Sequence, residues 1–152
     1  MKKTFCIITL FLFTFILTGC GNTKELECIM KNTGTNMNVY GTIKYTFKDD
    51  KIVSQHSVIE FKDITVPDID KVWNIYVKQF KNQNMPADET GYKRTIDVDD
   101  KNHIFKIILD VDYTKITNDV MNNYGIDVAE ANVTYEEMKK SMLDNEDTIS
   151  CK

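Results

Sequence analysis

Histidine and arginine are almost missing from this chain: His56, His103 and Arg94 are all there is in 152 residues. A zinc site takes three or four ligands from His, Cys and carboxylates. Each histidine lies in a strand-like segment with no Cys, Asp or His at ligand spacing beside it, so no metal is expected. With so little arginine, a formal net charge of −4 and no basic stripe, the chain lacks the cationic footprint of a nucleic-acid binder. It also lacks the patch that would hold anionic headgroups. The six glycines build no phosphate-cradling loop and no G-x-S-x-G elbow, and no Ser or Cys stands in an activating context. The expectation is a protein that is not an enzyme, with no catalytic residue and no cofactor.

Long apolar runs are also absent, except at the start. Lys2 and Lys3 precede an apolar stretch from Phe5 to Leu17, too short for a comfortable membrane span and placed as a secretory signal is. Leu17-Thr18-Gly19-Cys20 then resembles the lipobox of bacterial lipoproteins. That resemblance implies cleavage between Gly19 and Cys20 and a diacylglyceryl group on the Cys20 thiol. Two acyl chains hold firmly where one binds only marginally. Residues 1–19 are thus read as a signal peptide and 20–25 as a lipidated tether. Residues 26–152 are read as a single extracytoplasmic domain. Removing 19 of the 152 residues leaves 133, enough for one domain and not for two. Losing Lys2 and Lys3 makes the mature chain still more acidic. Abundant Lys, Ile and Asn with a single arginine fit an AT-rich genome. Together with the lipobox, that suggests a Gram-positive host, with the protein expected on the outer face of its cytoplasmic membrane; in a Gram-negative host, Gly21 after Cys20 would favour the outer membrane.

Of the four cysteines, Cys6 leaves with the signal and Cys20 is taken by lipid. Cys28 and Cys151 remain in an exported domain where no glutathione pool keeps thiols reduced, so a disulfide between them is expected. The alternatives are a pair of buried free thiols or a pair of metal-bound thiolates.

Along the mature chain, Leu26 to Met30 reads as a first strand. From Asn38 to Lys48 the alternation is clean, with Val39, Gly41, Ile43, Tyr45 and Phe47 on one face. Asp49-Asp50 makes a turn, and Lys51 to Phe61 returns with Val53, Ile59 and Phe61 inward. Pro67 marks a helix start, with Thr65 as cap. Ile69, Val72, Trp73, Tyr76, Val77 and Phe80 form its apolar stripe, better read as core than as a ligand-stacking surface. Asn82 to Gly91 reads as a polar loop. Tyr92 to Val98 and His103 to Tyr113 form a second hairpin around Asp99-Asp100-Lys101-Asn102. Thr117 to Tyr124 is a short helix stopped by Gly125. Thr134 to Leu143 opens with a Thr134…Glu137 capping box, and Thr148 to Cys151 is a short terminal strand. The fold class is α+β: an antiparallel sheet of two hairpins plus terminal strands, with helices packed on one face. The cluster Asp97 to Asn102 fails the EF-hand pattern, because its fifth and sixth positions are Lys101 and Asn102. Asp110 and Asp112 read as the wet side of a half-buried strand.

The lipobox, the turn Phe47-Lys48-Asp49-Asp50-Lys51-Ile52, the mid-chain helix, Ile108-Leu109-Asp110-Val111-Asp112-Tyr113 and the helix from Thr134-Tyr135-Glu136-Glu137 resemble small lipoproteins of the YehR-like family. The resemblance spans nearly all of the mature domain and implies an α+β domain outside the membrane. The Cys28 and Cys151 pair resembles a Gram-positive branch of it. The expected activity is binding: of the membrane through the lipid on Cys20, and of an envelope protein or small ligand through the domain. Two rivals are an extracytoplasmic hydrolase using scattered carboxylates and a carrier holding a hydrophobic ligand between sheet and helices.

Overall fold

A computed structural model describes residues 22–143 and 149–152. The signal segment, Gly19, Cys20 and Thr148 lie outside the described residues. The architecture starts from one tight turn. Asp49 and Asp50 both hold positive φ, at 52° and 63°, the pair of left-handed residues that closes a two-residue hairpin loop with the strands' own twist. The turn joins β2 (Asn38–Lys48) to β3 (Lys51–Lys62) in antiparallel register. A bulge between Thr46 and Phe47 shifts that register so that Phe47 pairs with Ile52. The expected inward Val53 is therefore displaced, and Ile52, 4% exposed, takes the core position. One extra residue moves a side chain to the other face.

The first strand, β1, runs Thr23–Thr33 and pairs with the whole of β2. It draws in Thr23, Lys24 and Glu25, which read as tether, because β2 is eleven residues long and its edge would otherwise stay unpaired. The remaining strands are β4 (Ala87–Glu89), β5 (Tyr92–Asp99), β6 (Ile104–Asp112) and β7 (Ile149–Cys151). The seven stand in the order β4-β5-β6-β3-β2-β1-β7, with β3 at the centre and every neighbouring pair antiparallel. The α+β class is as expected. Strand β4 was not: Asn82 to Gly91 read as loop, yet Ala87 to Glu89 pairs with Arg94 to Tyr92 around the turn at Gly91.

Among the described residues, three helices cover one face. Helix α1 (Ile69–Gln83) starts at Asp68, itself left-handed and without a side-chain cap bond. Thr65 instead turns its hydroxyl to the Asp63 carbonyl, 3.2 Å away, so the helix opens two residues later than Pro67 suggests. Trp73, 5% exposed, and Phe80 stack on Phe105 with centroids 4.5 and 4.2 Å apart. Tyr76, expected in that stripe, is 38% exposed. Helix α2 (Asn118–Tyr124) is capped by Thr117, whose hydroxyl accepts from Val120 N at 3.3 Å, and ends on left-handed Gly125. It lays Tyr124 on Tyr92, 4.1 Å between rings. A 3-10 turn over Val128–Asn132 leads to α3 (Tyr135–Leu143). Its capping box is reciprocal: Thr134 N donates to Glu137 at 3.0 Å, and Glu137 N donates to the Thr134 hydroxyl at 3.3 Å. Met138 and Tyr135 then close over Leu26, Cys28, Tyr45, Phe47 and Ile52. The aromatic and aliphatic contacts of all three helices fall on the face that carries Phe47, Phe105 and Tyr92. The other face has no helix over it among the described residues.

Candidate functional site

Successive residues of a strand point to opposite faces, so the sheet register alone lays out the helix-free face. One row crosses it on six strands: Glu27, Lys44, His56, Asp110, Lys93 and Asp88 stand opposite one another from β1 to β4. Lys152 extends the row, exchanging two backbone hydrogen bonds with Glu27 at 3.2 and 2.9 Å. Four positions along the strands lies a second row, charged apart from one tyrosine: Lys31, Tyr40, Glu60, Lys106 and Asp97. Between them runs an uncharged row of Ile29, Thr42, Val58, Ile108 and Thr95. Ile29 is 49% exposed there.

Apart from Lys31, which lies over the Tyr40 ring, the charges of each row meet opposite signs beside them, the arrangement that stabilises cross-strand pairs. His56 Nδ1 is 2.6 Å from Asp110, both side chains being about half exposed. Lys44 reaches Glu25 at 2.9 Å, Lys106 reaches Glu60 at 2.9 Å, and Lys62 also bridges Glu60 at 3.7 Å. The hydrogen bond from Lys106 holds the Glu60 carboxyl below the ordinary carboxylate range, and Lys106 is raised in return. Asp112 is pulled down by hydrogen bonds from Lys115 and Thr114. Where His56 and Asp110 meet, the face hollows into an open cleft of about 520 Å³ bounded by Glu25, Lys44, Lys93, Asp112, Lys115 and the turn at Gly91. Both signs line it.

The residues singled out in the sequence fall in different places. Asp110 and Asp112 do lie on the wet side of β6, and the fold brings His56 to Asp110. His103 is not in a strand: it closes the second hairpin turn at φ 53°. Its ring lies 4.8 Å from Trp73, and its Nε2 is 3.1 Å from Asp70. The Asp97 to Asn102 carboxylates serve that hairpin. Asp99 accepts from Lys101 N, Asn102 N and the Asn102 side chain, which lowers its pKa, and Asp100 accepts from the Trp73 indole at 2.7 Å. Cys28 and Cys151 are joined by a disulfide, with Cα atoms 4.0 Å apart. Lys44 and Lys93 carry no signal of their own in the sequence. They belong to the polar half of a period-2 pattern, and only the register shows that they share a row.

A buried polar seam runs under the helices. Tyr113 donates to Gln55 at 3.0 Å, and Gln55 donates to Ser57, 2% exposed, at 2.9 Å. Burial pushes the Tyr45 phenol up to about 12 and raises Tyr113 and Glu130 as well. A side-chain hydrogen bond couples Tyr113 to Glu130.

No family model matches this chain, and no curated protein does. Among solved structures it is similar to the NMR structure of the E. coli YehR protein, at 14% sequence identity and a TM-score of 0.47, covering 84% of this chain and 91% of that one.

Proposed function

We propose that this chain is a lipoprotein of YehR-like type, held at the outer face of the cytoplasmic membrane by a diacylglyceryl Cys20, and that it acts by binding, through the helix-free face of its sheet. The leader and lipobox support the anchor. The single observation that supports the binding face is its layout: two rows of mixed charge flank an uncharged row containing Ile29, Val58 and Ile108, on five adjacent strands. A rigid sheet face with an apolar centre and a polar border has the anatomy of a protein interface.

Chemistry fits the face less well. A general acid at neutral pH needs a carboxyl raised by burial, whereas Glu60 and Asp112 are both lowered by cations beside them. One observation favours a second reading, carriage of an apolar ligand. A cleft of about 340 Å³ opens between α1 and the sheet, lined by Met37, Phe61, Tyr76, Phe80 and Phe105.

A photoreactive amino acid placed at Thr42, in the middle of the face, tests the binding reading in intact cells. The same residue at Lys78, exposed on α1, serves as reference. Adducts from Thr42 and none from Lys78 are expected. Adducts from Lys78 alone would move the function to the helical side.

A further inference from the structure

The two charged rows are opposites of each other. On β1, Glu27 in one row answers Lys31 in the other; on β3, His56, a cation only when protonated, answers Glu60; on β6, Asp110 answers Lys106; on β5, Lys93 answers Asp97. Only β2 departs, with Lys44 and Tyr40. The line across which the sign inverts is the uncharged row through Val58.

We propose that the partner of this face is a second copy of the chain, related by a two-fold axis lying across the strands along the row of Ile29, Val58 and Ile108. This rests on the reading of the helix-free face as a binding surface. Such an axis turns each strand end for end above itself. Glu27 then faces Lys31 of the second copy, His56 faces Glu60, Asp110 faces Lys106, and Lys93 faces Asp97. Lys44 lies over the ring of Tyr40, a cation over an aromatic face. No charge meets its own kind, because the residues on the axis, which meet themselves, are uncharged. An isologous contact demands this self-complementarity, and a face built only to be wet does not.

Two aligned sheets also pack at about 10 Å with their side chains interleaved. Five strands about 4.8 Å apart, over roughly nine residues each, present roughly 700 Å² per copy, close to the ~800 Å² of a standard interface. The ion pairs already formed within each copy keep the free face soluble. The second copy adds partners to them and dries the apolar row.

Full-length chains carrying two different tags, produced together in one cell, test the pairing. Wild-type copies are expected to co-purify after crosslinking. Lys93→Glu in both copies sets a carboxylate against Asp97 at both symmetric contacts. Asp97→Lys in both copies sets an ammonium against Lys93 at both. Each should lower co-purification at least about tenfold. Lys93→Glu in one copy with Asp97→Lys in the other places like against like within each chain but restores opposite signs between the chains. Recovery is therefore expected, which misfolding of either variant cannot produce. Equal yields from all combinations, or none from wild type, would overturn the inference. The Thr42 photoadduct separates this from the broader reading. An adduct of twice the chain mass supports the second copy. An adduct with a different protein overturns the second copy and leaves the binding face standing, and no adduct overturns both.

Discussion

Cys28 and Cys151 stand directly opposite each other on adjacent antiparallel strands, and the next pair, Glu27 and Lys152, exchanges both backbone hydrogen bonds. The cysteines therefore occupy a non-hydrogen-bonded site, where opposite Cα atoms come closest, about 4.5 Å. The sheet itself brings them to 4.0 Å. Strand β7 has only three residues, too few to hold an edge by its own ladder. The disulfide fastens it across a separation of 123 residues. Replacing Cys151 by Ser should cost roughly 2–4 kcal/mol and release β7 from β1. Denaturant unfolding measures the first, and hydrogen exchange at the Glu27 and Lys152 amides, which bond β1 to β7, the second. Protein taken from cells should show no alkylation of Cys28 or Cys151 before reduction.

The lone tryptophan reports on α1. Trp73 stacks on Phe105, meets the His103 ring edge-on and is hydrogen-bonded to Asp100. Trp73→Ala should destabilise the domain by about 3–5 kcal/mol, the usual cost of emptying a large aromatic site. Asp100→Asn should cost far less and shift the emission of Trp73, since the indole keeps an acceptor but loses a charged one. An unchanged stability in the Ala variant would mean that α1 is not docked on Phe105.

Gly91 makes the turn from β4 to β5. Its φ is +77°, and a Cβ there would lie 2.4 Å from the Ile116 backbone nitrogen. Gly91→Ala combines backbone strain with overpacking and should cost about 2 kcal/mol or more. Gly125→Ala shares the positive φ, at +70°, but meets nothing within 4 Å, so it should cost less. Equal thermal midpoints for the two variants would contradict this.

Acid should weaken the fold. Glu60, Asp99, Asp112 and Glu137 all titrate below their ordinary values of 4.5 or 3.8 because cations or hydrogen-bond donors hold the charged form. A lowered pKa contributes stability that is present above the unfolded value and lost as pH falls through the folded one. Stability should therefore decline as pH drops through about 4.5 and below. Glu130, raised by burial, works in the opposite sense, its contribution fading as pH rises through its folded value. Asp112→Asn should flatten the acid limb of a stability–pH curve measured by denaturant unfolding.

The sequence shows the elements well wherever one strong local signal governs them. The β2 alternation, the Thr134…Glu137 box and Gly125 all map directly onto the structure. The failures share a cause. The bulge that trades Val53 for Ile52, the recruitment of Thr23 to Glu25 and the small strand β4 are each decided by what the neighbouring strand offers, which no local window contains. The candidate face was half visible. Asp110 and Asp112 read correctly as outward, but the meeting of Lys44, His56 and Asp110 depends on strands distant in the chain. The displaced start of α1 has a local origin: Thr65 turns to the Asp63 carbonyl and leaves Asp68 to start the helix.

The central claim, a binding domain lipid-anchored at Cys20, is tested most directly by metabolic labelling with a palmitate analogue. Wild-type chain should carry label, lose the mass of residues 1–19 and sediment with membranes. Cys20→Ala should carry none and persist as unprocessed precursor, because the thiol that takes the diacylglyceryl group is gone. Label retained on the Cys20→Ala chain, or a wild-type chain that is never labelled, would contradict the account.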